Sequence, residues 1–338
     1  MTSEKRIPVA VVGVGAFGRN HARVYQQLGK EGASVILKAV VDADVGRAEA
    51  VAREYSAQAF ASVEQLVKIC PDIRAASVAV PTVHHLETAR TLMLAGVDVL
   101  IEKPLAASVA EADELVAIAQ ENGRIGQVGQ LERFNPAVRA TIPLITQPMF
   151  FEVHRLSVFT PRSLDVDVVL DLMIHDLDVV SAFVNSPVKE IRAVGLPILS
   201  PRVDIANVRM EFQSGCVANF TASRVSTERV RKLRFFQPKQ YISIDYGRQD
   251  VLVFSVGENG KEGGMPSVNP QIKVGKPSIV AEEPLHAELK AFLEAVQQRS
   301  RPLVSLEDGR KALHLALDIA STIEAHGKRV QLEKLQMP

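Results

Sequence analysis

Three glycines near the start of the chain place the tightest constraint on its fold. Gly13, Gly15 and Gly18 follow the apolar run that begins at Val9, and an amphipathic stretch comes directly after them. Glycine at these positions permits a tight turn, a close approach of a ligand to the backbone, and close packing of a helix on a strand. The spacing therefore predicts a strand, a turn and a helix that begin a parallel, doubly wound sheet.

Short apolar runs alternate with amphipathic segments over the first third of the chain. The strand candidates are residues 9–14, 36–41, 76–80, 97–101 and 126–128. Ser108 and Glu111 form a capping box before one intervening helix, and Asn122-Gly123 ends that helix. This alternation predicts an α/β fold with a Rossmann dinucleotide-binding domain over residues 1–135.

The pattern changes after residue 135, where strand-like runs follow one another and one strong helix lies near 168–184. These runs cover residues 149–153, 188–194, 206–212, 217–223, 233–236, 241–245 and 251–255. Residues 257–277 are rich in Gly, Pro and Lys and are typical of a long loop, and two helices then close the chain. We predict a C-terminal α+β domain over residues 136–338, with a large open, mostly antiparallel sheet whose uncovered face contacts other subunits.

Composition excludes several classes of function. The 39 basic residues balance the 39 acidic ones, so no net field attracts nucleic acid or an anionic membrane. No run reaches the roughly 18 apolar residues of a membrane span. Cys70 and Cys216 stand in neither a CxxC nor a zinc-ligand spacing, so we expect a cytoplasmic protein without a disulfide framework or structural zinc.

The second predicted strand ends in a carboxylate, Asp42, near the expected distance of about 20 residues after the glycine turn. A carboxylate at that place can accept hydrogen bonds from both hydroxyls of an adenine ribose and repels a 2′-phosphate. The sequence therefore predicts NAD as the cofactor. Arg47 weakens the preference over NADP, because a nearby arginine can pair with a phosphate.

Another predicted strand ends in Glu102, Lys103 and Pro104. Pro104 restricts Lys103 to an extended backbone, and strand ends at this edge of the sheet border the cofactor crevice. Lys103 could therefore donate a hydrogen bond to a substrate hydroxyl, and the alternative is a solvated surface lysine. His85 follows a third strand end, where a structural cap and a contact to the cofactor are both open.

The strong helix near 168–184 carries Asp171, His175 and Asp178 at positions i, i+4 and i+7 of one face. Apolar residues cover much of the rest, so the polar stripe should line a cleft instead of the core. His175 is a candidate general base whose ring Asp171 would orient. A metal site and a structural, hydrogen-bonded histidine are the alternatives.

Together these ordered motifs resemble the GFO/IDH/MocA family of oxidoreductases. The motifs are Gly13-x-Gly15-x-x-Gly18, Val80-Pro81-Thr82 with His85, Glu102-Lys103-Pro104 and Asp171-x-x-x-His175. The resemblance implies a homodimer or homotetramer that joins through the open sheet and acts on sugars or polyols, with Lys103, Asp171 and His175 as catalytic residues and no metal. The predicted cofactor contacts are Gly13, Gly15, Ala16, Phe17, Gly18, Asp42, Pro81, Thr82, His85, Glu102 and Lys103.

Within that family, residues 129–136 and 167–178 are similar to the UDP-N-acetylglucosamine 3-dehydrogenase group. This similarity implies oxidation of a sugar 3-hydroxyl to a 3-keto product for lipid A or polysaccharide synthesis. A diphosphate needs cationic clamps, and the predicted substrate contacts are Arg133, Asn135, Arg155, Arg162 and His175. A dehydrogenase of a free polyol or aldose and an NAD-binding sensor without turnover are the alternatives.

Overall fold

The computed structural model describes residues 6–160, 166–257, 261–262, 265–266 and 272–330. The chain divides into two compact units. The first comprises Met1–Phe134 with Glu283–His314, and the second comprises Asn135–Glu282 with Leu315–Pro338.

The first unit is built on a six-stranded parallel sheet in the order β3-β2-β1-β4-β5-β6. Its strands are β1 Ile7–Val12, β2 Val35–Val41, β3 Gln58–Phe60, β4 Ala75–Val78, β5 Asp98–Glu102 and β6 Gly126–Gly129. Strands buried on both faces read as continuous apolar runs, and β1, β4 and β5 are almost wholly buried. The strand order is that of a dinucleotide-binding Rossmann sheet, which confirms the predicted fold class.

Five helices connect these strands, and polar caps fix where several of them begin. They are α1 Ala16–Lys30, α2 Val45–Tyr55, α3 Val63–Ile69, α4 His85–Leu94 and α5 Val109–Glu121. The Ser108 half of the predicted capping box is present at α5, where the Ser108 hydroxyl accepts from the Glu111 N–H, whereas the Glu111 carboxylate accepts from the N–H of Ala107, the residue before the cap.

The second unit contains an eight-stranded sheet in the order β16-β13-β12-β11-β7-β10-β9-β8. Its strands are β7 Phe150–Val158, β8 Val188–Leu196, β9 Ile205–Phe212, β10 Val217–Ser226, β11 Val230–Gln237, β12 Gln240–Asp245, β13 Asp250–Val256 and β16 Ile272–Gly275; β14 Lys261–Glu262 and β15 Met265–Pro266 form a separate hairpin. All neighbours in the large sheet are antiparallel except β7 and β10, which are parallel. The open, mostly antiparallel sheet is confirmed.

Several helical segments of the second unit accompany this sheet. The short helix α6 covers Pro136–Thr141, and a π-helical turn over Val169–Met173 runs directly into α7, Ile174–Val184. Phe183 of α7 packs edge-on against Phe235, with ring centroids 6.0 Å apart. The buried face of the sheet is therefore anchored to α7.

The prediction of a loop throughout residues 257–277 is wrong, because β14 and β15 pair with each other within this range and its last part adds a strand to the large sheet. Ile272–Gly275 pairs antiparallel with β13 and forms the edge of the large sheet. All four residues of this strand are exposed, so the apolar periodicity that marks a buried strand is missing.

The chain returns to the first unit after residue 282, through α8, Pro284–Gln298, and the start of α9, Leu306–Arg329. Leu289, Phe292 and Val296 are fully buried and share one core cluster with Tyr25 of α1. The division predicted from the sequence, at 135/136, did not include this return of the chain. The apolar stripe of α8 indicated only that the helix packs against some other surface. Within the residues the structure describes, no helix is both long enough and apolar enough to cross a membrane.

Candidate active site

The glycine turn of the first unit forms a cradle beside the first turn of α1. Gly13 has φ +83°, and a Cβ on it would lie 2.6 Å from the Ala79 carbonyl oxygen. A Cβ on Gly18 would lie 1.7 Å from the Gly13 oxygen, whereas one on Gly15 would meet no atom within 4 Å. The turn is therefore closed on the sheet side and open at Gly15, and no side chain caps α1 there. These residues fit a bound pyrophosphate, because helix N-termini present backbone N–H groups to phosphate.

A cleft of about 810 Å³ extends from this turn across the ends of β1, β2 and β4. Asp42 lies in it, 8% exposed, and accepts hydrogen bonds from the backbone N–H groups of Val14 and Asp44. Arg47 contacts both Asp42 and Asp44 at 3.2–3.4 Å. The arginine is thus already engaged by two carboxylates, an arrangement that disfavours a 2′-phosphate beside it.

His85 has a different environment from the one predicted for a cofactor contact. Its ring is 1% exposed, with Nδ1 3.0 Å from the Pro104 oxygen and Nε2 3.0 Å from the Val80 oxygen. Burial lowers the pKa of His85. The ring connects two strand ends of the first unit, whereas its neighbour His84 lines the cleft, as Pro81 does.

Glu102 and Lys103 lie where β5 ends, as predicted, and the Lys103-Pro104 peptide is cis. The Glu102 carboxylate accepts a hydrogen bond from His21 Nε2 at 2.9 Å. It also lies flat on Gly129 of the adjacent strand, where a Cβ would be 2.8 Å from Glu102 Oε1. The Glu102 side chain is therefore fixed, and Lys103 follows it directly.

In the second unit, Asp171 and His175 are half-buried on the helix that the sequence predicted. Asp171 stands inside the π-helical turn, so its relation to His175 is not that of a regular α-helical face. Such turns inside helices are frequent at functional sites. Asp178, which the helical spacing placed on the same polar face, is 4% exposed. Among the residues that the structure describes, no group of three or more potential ligands is arranged to bind a metal ion.

Arg155 is bound to a carboxylate inside the second unit. Its Nε and Nη2 atoms donate to the two oxygens of Asp176 at 2.6 and 2.9 Å, and both side chains are at most 4% exposed. The guanidinium also lies 5.1 Å from the ring centroid of Tyr246. A diphosphate would have to compete with this pair, so the geometry favours a structural role over the predicted clamp.

The other predicted substrate contacts have separate surroundings. Asn135 is 2% exposed and caps α6, accepting from Ala137 N–H at 3.1 Å and donating to the Tyr246 oxygen at 3.0 Å. Arg133 is half-buried in the first unit and donates to the Leu303 oxygen at 3.4 Å. Arg162 lies outside the described residues.

Comparison with known proteins relates this geometry to a family. Residues 7–130 match the oxidoreductase family with an NAD-binding Rossmann fold, and residues 120–242 match the GFO/IDH/MocA C-terminal domain. Over 320 residues the chain is 34% identical to UDP-N-acetylglucosamine 3-dehydrogenase of Acidithiobacillus ferrooxidans, covering 94% of this chain and 98% of that protein. The chain belongs to the GFO/IDH/MocA family.

Two further comparisons describe the range of this GFO/IDH/MocA family member's relatives. The solved structure of the A. ferrooxidans dehydrogenase GnnA matches with a TM-score of 0.85 at 32% identity, covering 95% of this chain and 99% of that chain. A scyllo-inositol 2-dehydrogenase (NAD(+)) of Bacillus subtilis is 28% identical over 238 residues, 66% of this chain and 69% of that protein. This family member is an oxidoreductase that uses NAD, as the sequence predicted.

Sequence reasoning missed a second buried ion pair that holds the start of the helical segment in this family member. Asp204 accepts from the backbone N–H groups of residues 198–200 and from Arg224 Nε, at 2.6 to 2.9 Å. Burial raises the pKa of Asp204, but Arg224, Ser200 and these N–H groups outweigh burial and hold it well below its usual range. Arg224 also donates to the Val166 oxygen at 2.7 Å, three residues before the π-helical turn.

Proposed function

We propose that this protein is a UDP-N-acetylglucosamine 3-dehydrogenase, which oxidises the sugar 3-hydroxyl with NAD to a 3-keto product for lipid A or polysaccharide synthesis. The observation that carries the proposal is the near full-length similarity to the A. ferrooxidans enzyme, which spans 98% of that protein and includes both units. Similarity to the inositol dehydrogenase covers only 66% of this chain. A free polyol or aldose substrate is therefore the second candidate.

The proposed roles follow from the chemistry of a secondary alcohol. NAD supplies the acceptor for the hydride that leaves the sugar carbon. His175 takes the proton of the hydroxyl, and Asp171 orients the imidazole. Lys103 donates a hydrogen bond to the same oxygen, where negative charge develops as the proton leaves.

The remaining assignments are also proposals. Arg133 and Arg162 are the candidates for the diphosphate, and we assign Arg155 to the support of α7. Gly13, Gly15, Ala16, Phe17 and Gly18 would hold the pyrophosphate, and Asp42 the adenine ribose. Cys70 and Cys216 are both buried and free, which suits the reducing cytoplasm.

We expect a panel of substrates, followed by NADH absorbance, to separate the two candidates. The kcat/KM for UDP-N-acetylglucosamine should exceed that for free N-acetylglucosamine and myo-inositol by at least about a hundredfold, because remote binding energy is used at the reacting carbon. A 3-deoxy analogue of the nucleotide sugar should give no NADH, whereas a 4-deoxy analogue should remain a substrate. Comparable kcat/KM values for the free polyol would overturn the nucleotide-sugar assignment in favour of the second candidate.

We also propose that the protein is a homodimer or homotetramer joined through the uncovered face of the large sheet. Phe150, Phe236, Tyr241 and Phe254 form an aromatic row across four strands, with successive ring centroids 5.8, 4.9 and 5.4 Å apart. Phe236 is 38% exposed. Contiguous apolar surface of this kind is typical of subunit contacts.

Light scattering should test the subunit contact. The wild-type protein should have the mass of a dimer or tetramer, and Phe236→Lys should lower it, because a charge would enter the apolar contact. Ile69→Lys, on α3 of the first unit and 62% exposed, is the matched control and should leave the mass unchanged. A monomeric wild type would contradict the proposal.

A further inference from the structure

A chain of hydrogen bonds runs through the interior of the first unit and ends at Glu102. Tyr25 Oη lies 2.9 Å from Ser77 Oγ, Ser77 Oγ lies 3.0 Å from His21 Nδ1, and His21 Nε2 lies 2.9 Å from Glu102 Oε1. Tyr25, Ser77 and His21 have no exposed surface. The chain connects α1, β4 and β5.

The direction of these hydrogen bonds follows from what each group can donate. An ionised carboxylate only accepts, so if Glu102 is the ionised group, His21 Nε2 carries the hydrogen that faces it. His21 Nδ1 then accepts from the Ser77 hydroxyl, whose oxygen in turn accepts from Tyr25. Every donor in the chain therefore points towards Glu102, and chains of this kind stabilise the charge at their end.

A second carboxyl group, that of Glu288 on α8, is fully buried in the same unit. Among the described residues, neither of its oxygens has a hydrogen-bond partner. Burial, followed by the negative charge of Glu102, raises the pKa of Glu288 well above its ordinary value. The two carboxyl groups therefore act on each other electrostatically.

Their surroundings are unequal, and this decides which carboxyl group is ionised. Glu102 has a donor in His21 and a partly exposed side chain, at 11%, whereas Glu288 has neither. Two interacting carboxyl groups in unequal environments separate into one acid and one anion. We propose that His21 is a positioning residue that holds Glu102 as the single anion of this pair while the proton stays on Glu288, so that the protein binds NAD⁺ in preference to NADH.

The preference follows from the charge of the cofactor ring. The nicotinamide ring is cationic in NAD⁺ and neutral in NADH, so a fixed anion near it favours the oxidised form. Glu102 lies at the carboxyl end of β5, in the half of the sheet that follows the reversal of strand order, where such sheets bind their ligands. The inference rests on the proposed function for the placement of Glu102 beside the nicotinamide. Beyond that function, the inference assigns to the Glu102 carboxylate the negative charge that favours the oxidative direction.

Cofactor titration without any sugar tests the charge assignment. NADH is titrated by its fluorescence and NAD⁺ by competition, which gives the ratio Kd(NAD⁺)/Kd(NADH) for each variant. Glu102→Gln should raise this ratio by about tenfold or more, because glutamine has the same shape as glutamate but carries no negative charge. Glu288→Gln should leave the ratio within about twofold, because a neutral amide replaces a neutral carboxyl group. If Glu288→Gln raises the ratio as much as Glu102→Gln does, the charge resides on Glu288 and the inference is overturned.

Variants of His21 test its positioning role. His21→Phe removes the donor and should raise the ratio severalfold, whereas His21→Gln keeps an N–H donor and should restore a ratio near that of the wild type. A ratio unchanged in a folded His21→Phe protein would contradict the role of His21.

Infrared spectroscopy of the protein without cofactor provides a readout that is independent of both ligands. At neutral pH, the carbonyl band of a protonated carboxyl group should be present in the wild type and in Glu102→Gln, and reduced in Glu288→Gln. If Glu102→Gln removes this band instead, the proton resides on Glu102 and the inference is overturned. Neither the cofactor titration nor the infrared measurement uses a sugar. Their results therefore test the charge assignment even if the substrate panel contradicts the proposed function.

Discussion

Lys103→Ala and His175→Ala are each expected to lower kcat for oxidation of the nucleotide sugar by at least about a hundredfold. Loss of a positioned general base or of a donor to the reacting oxygen has effects of this size. The Kd for NAD should change by less than about threefold in His175→Ala, because this side chain is proposed to contact the sugar and not the cofactor. NADH absorbance gives kcat, and cofactor fluorescence gives Kd.

Lys38→Ala and His314→Ala are the matched controls. Lys38, on β2, pairs with Asp72, and His314 is exposed on α9, so both variants should retain the wild-type kcat. The double variant Lys103→Ala/His175→Ala tests whether the two groups act on one substrate. Groups that act as a unit give strongly non-additive losses, so the double variant should be little slower than the slower single one. Wild-type turnover in either single variant would refute the catalytic assignment.

Arg155→Ala is expected to lower the free energy of unfolding by about 3 kcal/mol or more. The substitution leaves Asp176, at 1% exposure, without the guanidinium that binds both of its oxygens. Asp176→Asn in the Arg155→Ala background should recover part of this loss, because it removes the uncompensated charge. Urea unfolding followed by circular dichroism measures both effects.

Lys189→Ala removes one partner of an exposed pair with Glu211 and should leave the unfolding curve nearly unchanged. If Arg155 is the diphosphate clamp instead, Arg155→Ala will fold with wild-type stability and will raise KM for the nucleotide sugar. The two roles of Arg155 thus predict opposite results in the two assays.

The first unit was the more predictable part of the fold, because its strands are buried on both faces and give continuous apolar runs. Residues 36–41 and 97–101 were recognised in this way and correspond to β2 and β5 to within one residue at each end. By contrast, β3 has three residues, and α8 carries a helical stripe that does not name the surface it packs against. Sequence spacing detects an element's buried face but not its partner.

The candidate site was predictable in its motifs and less so in its surroundings. Lys103 and Asp42 stand at strand ends, as their spacing required. The π-helical turn at Asp171 could not be foreseen, because a single π turn leaves no periodicity of its own. The burial of Arg155 did have a signal: it lies two and four residues after the buried Val153 and Phe151, on the inward face of an alternating strand. The charge of Arg155 favoured a role as a diphosphate clamp, although the alternation indicated that the side chain is buried.

The return of α8 has a consequence for synthesis on the ribosome. Leu289, Phe292 and Val296 complete the hydrophobic core that Tyr25 and its neighbours begin, yet they are translated among the last residues of the chain. At ordinary elongation rates the nascent first unit waits on the order of ten seconds for them. During that interval the surface that α8 will cover stays open to chaperones and to other nascent chains, so the earliest-made part of the protein matures late.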